Sequence, residues 1–233
     1  MATKPAPCLD CGIRDIAVCT DIGGDALAAL SAIGRRRRLN AGQALAWAGD
    51  ANLTCASLVS GILKVTASSV GGREQIVGLL YPGDFVGQPF IDESTLTVTA
   101  LSASELCVYP RERFERLLVD FPRLGHSLLR RTMNSLNDAR ERVLTLGQRS
   151  ASERLAAFLL DMADRAHANG TNEDFFEIPI SRSDLADFLG MTIETVSRQL
   201  ARFRSAGAIA IGWGDRRIVL RDRLALERAA EPD

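Results

Sequence analysis

Cys8, Cys11 and Cys19 put three thiols into twelve residues, CLDCGIRDIAVC, and two more cysteines, Cys55 and Cys107, follow downstream. Thiolates are soft, nucleophilic ligands, so such a cluster can close a disulfide, hold zinc, hold an iron centre or sense redox state. Five is an odd count, and the opening MATKPAP shows no basic-then-apolar export pattern. The expectation is a cytoplasmic chain whose clustered thiols bind metal or respond to redox state, with a disulfide framework disfavoured. Cys55 sits in the apolar run CASLVSG and reads as a core residue.

A second constellation lies near the other end, in ISRSDLADFLGMTIETVSRQLARFRSAGAIAIGWGDRRIVLRD. Two helices crossing steeply need a small residue where they touch, a glycine at the turn and an apolar inner face. Ala186, Gly190 and Val196 meet that spacing, with Leu185, Leu189 and Met191 completing the inner face. In the second helix Thr192 is an N-cap, Gly207 a C-terminal stop, and Val196, Leu200 and Phe203 share the buried side. Glu194, Ser197 and Arg198 fall together on another face. Arg can grip guanine O6 and N7, Glu can accept from cytosine N4, and Ser suits several base edges. An i,i+4 Glu–Arg pair on a solvated face is the plain alternative, but the start of a second helix is where base reading occurs. Arg182, Arg202 and Arg204 are candidates for phosphate contacts. The strand, Gly-rich turn and strand that follow read as the hairpin of a winged helix.

Other elements must hold these two sites. The 233 residues are 46% hydrophobic and 24% charged, with a net charge of −1 that by itself suggests no nucleic-acid partner. No apolar run approaches the roughly eighteen residues of a membrane span. Between residues 40 and 110, short apolar stretches alternate with the turn signals Gly49-Asp50, Gly71-Gly72 and Pro82-Gly83-Asp84, the pattern of a small sandwich or barrel. From about Phe121 the period changes: Leu129, Thr132, Leu136, Ala139, Val143 and Leu146 recur at threes and fours, a heptad seam suited to pairing two copies. The segments are read as 1–20 (cysteine segment), 21–120 (β-domain), 121–147 (dimerisation helix) and 148–233 (DNA-binding domain). Arg35 to Arg38 read as a solvated stretch entering a strand. Neither His126 nor His167 has a paired nucleophile, and no P-loop or dinucleotide fingerprint occurs, so the chain is not expected to be an enzyme.

A small β-domain, a long pairing helix and a winged helix together resemble the CRP/FNR family of bacterial transcription regulators over nearly the whole chain. IETVSRQLARF and RLAAFLL resemble its FNR branch. The resemblance implies an α+β fold: a β-roll sensor domain like a cyclic-nucleotide-binding domain, a dimerisation helix and a C-terminal winged helix-turn-helix. It implies a homodimer on double-stranded DNA, with Glu194, Ser197 and Arg198 reading a palindrome like TTGAT–four bases–ATCAA. RNA polymerase would be a partner through loops such as SSVGGRE, where Arg73 departs from an acidic contact. For the thiols it implies a [4Fe–4S] cluster on Cys8, Cys11, Cys19 and Cys107, the last in ELCVYP. Seven residues separate Cys11 from Cys19, where the best-known members have five, which points to a subgroup. A four-cysteine zinc site uses the same ligands and stays open. Cyclic nucleotide is not expected, because no Lys or Arg occurs between Arg73 and Arg111 and Gln88 stands where a binder carries Glu. Ala139 is uncharged at a seam position where some members carry an acidic residue.

Overall fold

The computed structural model describes residues 8, 11–20, 22–68, 71–72, 74–168, 175–177, 180–211 and 217–231, with the backbone alone at 168, 175–177 and 217. Helix α1 (Gly24–Ile33) leads into β1 (Arg35–Leu39), β2 (Ala44–Ala46), β3 (Thr54–Ser60), β4 (Leu63–Ser68), β5 (Glu74–Leu80), β6 (Phe85–Val86), β7 (Thr97–Ala100) and β8 (Ser104–Pro110). Helices α2 (Arg111–Asp120) and α3 (Pro122–Gln148) follow. Beyond them run α4 (Ala151–Ala168), β9 (Phe175–Glu177), α5 (Arg182–Leu189), α6 (Ile193–Ser205), β10 (Ile209–Ile211), β11 (Arg217–Leu220) and α7 (Arg223–Ala230). The chain divides into two compact units, Met1–Ala139 and Arg140–Asp233, so the division falls inside α3. The sequence reading had put it after the helix, at 147.

In the first unit the strands form two antiparallel four-stranded sheets, ordered β1-β8-β3-β6 and β2-β7-β4-β5. Successive side chains of an extended chain point to opposite faces. On β8, Leu106 and Val108 join the core inside the roll, with Leu58, Leu63, Val65 and Val98. Cys107 and Tyr109 point the other way, into a second apolar layer. The turns predicted at Gly49, Gly72 and Gly83 are present, each with φ between 74° and 96°. Ser69, Val70 and Arg73 of the SSVGGRE loop, expected to face RNA polymerase, lie outside the described residues.

The second layer is built from the cysteine segment, α1, α2 and the first turns of α3. Residues 11–20 form no regular element; local turns hold them, with Arg14 N–H donating to Cys11 O at 3.0 Å and Thr20 N–H to Ala17 O at 2.9 Å. Apolar burial secures the segment to the sheet: Ile13, Ala17 and Val18 are almost wholly buried. Phe114 is fully buried, stacked between Phe85 and Tyr109 at centroid distances of 5.3 and 5.4 Å. Each such pair contributes about 0.5–1.5 kcal/mol beyond area burial.

One expectation is corrected here. Arg35 to Arg38 do not lead into a strand; they are the strand β1, paired with β8. Only Arg37 and Arg38 are exposed. Arg35 donates to the carbonyls of Ala32 and Gly34 at 3.0 and 2.7 Å, satisfying acceptors at the end of α1, and Arg36 turns inward.

In the second unit, α4 opens with a reciprocal cap: Ser150 Oγ donates to Glu153 Oε1 at 2.6 Å, and Glu153 N–H donates to Ser150 Oγ at 3.3 Å. Its buried face (Leu155, Ala156, Leu159, Met162) supports α5, α6 and α7. Strands β10 and β11 pair antiparallel as expected, and β9 adds a third strand that sequence did not reveal. Helix α7 was also unanticipated; it is capped by Asp222 and tied to α4 by Arg223–Asp164 at 2.7 Å. The hairpin turn 212–216 and the Asn169-Gly170 stop predicted after α4 lie outside the described residues.

Candidate nucleic-acid interface and thiol site

Local sequence determines the two-helix unit closely. Ser181 caps α5, accepting from Asp184 N–H at 3.0 Å. Gly190 ends the helix at φ 62°, where a Cβ would stand 3.0 Å from Leu146 Cδ2 and 3.3 Å from Arg154 Nη1. A left-handed backbone in so little space demands glycine. Thr192 then caps α6, accepting from Thr195 N–H at 3.2 Å. Val196, Leu200 and Phe203 are buried, as the spacing predicts, against Leu185, Ala186 and Leu189 on α5. Phe188 joins that inner face, packing edge-on to Phe158 at 5.7 Å, with the Arg142 guanidinium 3.7 Å from its ring centre.

The opposite face of α6 is open. Glu194, Ser197, Arg198, Arg202 and Arg204 are all exposed. Arg198 donates to Thr195 Oγ1 at 3.4 Å, and the Glu194 carboxyl is held below the usual range by hydrogen bonds from its own backbone N–H and from Thr192. Both side chains are thus oriented towards the helix N-terminus, the end that enters a major groove in this motif. Arg182, on the first turn of α5, is half-buried, and burial lowers its guanidinium pKa. Among the described residues its Nη1 is buried without a hydrogen-bond partner.

The four predicted ligand thiols gather in the second apolar layer of the first unit. Cys107 is buried on β8, Cys19 is buried, and Cys8 and Cys11 are half-buried against the same layer. Among the described residues, no three His, Cys, Asp or Glu side chains converge closely enough to hold a metal ion as they stand. The sulfurs are neighbours without forming a closed cage. Burial pushes the Cys19 thiol up to about 11, helped by the nearby Cys11, and burial also raises Cys107, opposed in part by a hydrogen bond from Tyr109. At neutral pH these free thiols are therefore protonated, and a metal would have to displace their protons. Gly34 permits the close approach: a Cβ there would stand 3.2 Å from both Cys107 Sγ and Tyr109 Cε1. Sequence reasoning missed Arg36, which donates from Nη2 to Cys11 Sγ at 3.3 Å. Cys55 lies on β3 beneath Gly87, near Arg111 and Glu115, where burial pushes its thiol up to about 12.

On α3, Leu124 is buried in the cysteine layer, while Leu129, Leu136, Ala139, Val143 and Leu146 of the predicted seam are exposed in the single chain. Met133 adds to that apolar stripe. Gln88, in the loop after β6, accepts from Thr95 N–H at 3.0 Å, and Asn52 Nδ2 donates to the Gln88 carbonyl at 2.6 Å.

A capped helix-turn-helix with an open polar face, carried on a chain that also holds a β-roll, defines a DNA-binding regulator with a sensor-type domain. Residues 153–229 match the Crp-like helix-turn-helix domain, and residues 36–121 match the cyclic nucleotide-binding domain. The chain is 39% identical over 224 residues to a Rhizobium leguminosarum bv. viciae protein named "Probable transcriptional activator", covering 96% of this chain and 93% of that one. It is 38% identical to the transcriptional activator protein FnrL of Cereibacter sphaeroides, covering 97% and 92%. Among solved structures, FixK2 from Bradyrhizobium japonicum superposes with a TM-score of 0.77 at 26% identity, over 86% of this chain and 99% of FixK2. The chain belongs to the CRP/FNR family of transcription regulators. It is a DNA-binding regulator, not an enzyme, and among the described residues no helix is long and apolar enough to cross a membrane.

Proposed function

We propose that this regulator senses oxygen through a [4Fe–4S] cluster held by Cys8, Cys11, Cys19 and Cys107, and that as a homodimer it binds a TTGAT–four bases–ATCAA type of palindrome. The observation that carries the reading is the gathering of four thiols in one buried layer that also packs the root of α3. Thiolates are the ligands an iron–sulfur cluster uses, and four complete the set. A cluster bound there supplies iron–sulfide bonds that oxygen attacks. The residues of this chain do the rest. Cys8, Cys11 and Cys19 tie an irregular segment to β8, Leu124 links that layer to α3, and the exposed stripe from Leu129 to Leu146 pairs two copies. Pairing brings two copies of α6 to two half-sites, where Glu194, Ser197 and Arg198 read bases and Arg182 and Arg202 contact phosphates. Dimer affinity multiplies into DNA affinity because each half-site alone binds weakly. The names of the relatives support an activator, which engages RNA polymerase.

The test is anaerobic purification with iron, sulfide and zinc analysis, and a visible spectrum before and after air. About four irons and four sulfides per chain, with a brown absorbance that air changes, is the expected result. One zinc and no colour would leave the DNA-binding assignment standing and remove the oxygen sensor.

A further inference from the structure

Four consecutive arginines lie in β1, and they do not share one environment. β1 pairs with β8 so that Arg36 sits opposite Cys107 and Arg37 opposite Leu106. Directly paired residues share a face, so Arg36 lies on the cysteine side of the sheet. Its guanidinium reaches Cys11 Sγ from Nη2 at 3.3 Å, while Nη1 is buried with no hydrogen-bond partner among the described residues. Arg38, on the same strand, is a contrast: its side chain is 87% exposed and 3.9 Å from Glu105. A buried guanidinium donor left without an acceptor is a costly arrangement. The same donor facing ligated thiolates is a favourable one, since charge-assisted hydrogen bonds are the stronger kind.

We propose that Arg36 is a positioning residue of the thiolate site, holding Cys11 by one donor and offering its second buried donor to the negative charge that ligation brings. This rests on the assignment of Cys8, Cys11, Cys19 and Cys107 as the ligands. Groups that hydrogen-bond a metal's ligands typically change metal retention by about 10- to 100-fold when removed. A cation beside a ligand sulfur also favours the more negative, reduced form of the group, which raises its reduction potential.

The experiment loads wild type, R36Q, R36K and R38Q with iron and sulfide under anaerobic conditions. It follows iron release to a chelator and measures the midpoint potential of each. Wild-type protein is examined first; if it takes up no iron and shows no thiolate-to-iron absorbance, the ligand assignment falls and the role of Arg36 with it. If it loads, R36Q is expected to release iron about tenfold faster than wild type and to show a lower midpoint potential. R36K keeps the charge without the two-pronged donor and is expected to fall between them, while R38Q matches wild type. R36K also covers the case in which R36Q fails to fold, because a lysine that loads and still releases iron faster supports the role. Equal release rates and potentials in wild type and every variant that folds would overturn it.

Discussion

Replacing Arg131 by methionine should loosen the cysteine segment without unfolding the protein. Arg131 projects from α3 within the first unit and donates from Nη1 to the Gly83 carbonyl at 3.1 Å and from Nη2 to the Ile16 carbonyl. Gly83, at φ 96°, lies so close to Ile16 that a Cβ would stand 2.8 Å from the Ile16 oxygen. The guanidinium thus bridges segment, loop and helix at this junction. Hydrogen bonds to charged groups contribute about 1.5–3 kcal/mol each. Arg131 is partly exposed, so solvent competes for both carbonyls, and about 2 kcal/mol for the pair is a fair figure. Since 1.4 kcal/mol is a factor of ten, opening of the segment should become about 30-fold more frequent. Hydrogen exchange of the amides of residues 11–20, measured on metal-free protein by mass spectrometry, reads that opening directly. Protection within threefold of wild type would show that apolar burial of Ile13, Ala17 and Val18 alone holds the segment, and would refute this reasoning.

Three other outcomes are expected. R198A should cost about 1–3 kcal/mol in binding the palindrome and relax base preference, while R202A should weaken all sequences alike and lower the salt slope by about one; fluorescence anisotropy across a salt series separates them. F203A empties a buried position between α5 and α6 and should destabilise the second unit by about 3–5 kcal/mol in urea melts. Burial pushes Cys55 up to about 12. From about pH 9 upwards the unfolded chain loses that proton before the folded one, so it binds fewer protons and stability falls as pH rises. Urea melts at pH 8 and pH 10.5 should show a decline about 1–2 kcal/mol larger in wild type than in C55A; identical pH slopes would contradict it.

The helix-turn-helix was legible because its determinants are local. A small residue, a turn glycine, the Thr192 cap and an apolar period all lie within the stretch from Leu185 to Gly207, and each is found where the spacing places it; the Ser181 cap came only with the structure. The strands around Gly49, Gly72 and Gly83 were legible for the same reason. What stayed hidden depends on register. Nothing in RRRR distinguishes Arg36 from Arg37 until β1 is paired with β8, and a shift of one residue would exchange their faces. Arg36 and Arg38 share a face, and what separates them is the cysteine layer packed over Arg36 alone. β9 was missed because three residues carry too little alternation to stand out, and α7 because a short amphipathic helix near a chain end resembles a polar tail. Among the cysteines, type and spacing singled out the N-terminal three, but the layer that brings them to Cys107 comes from tertiary packing.

Strand β8 is covered on both faces, and the two faces serve different masters. Even-numbered residues of β8, Leu106 and Val108, complete the interior of the roll; odd-numbered ones, Cys107 and Tyr109, belong to the outer layer. One strand therefore carries two nearly independent messages, interleaved residue by residue. Substitutions confined to odd positions act on the thiol layer and leave Leu106 and Val108 in the roll untouched. Under the proposed function, what the domain responds to and what folds it are written on alternate residues of the same strand.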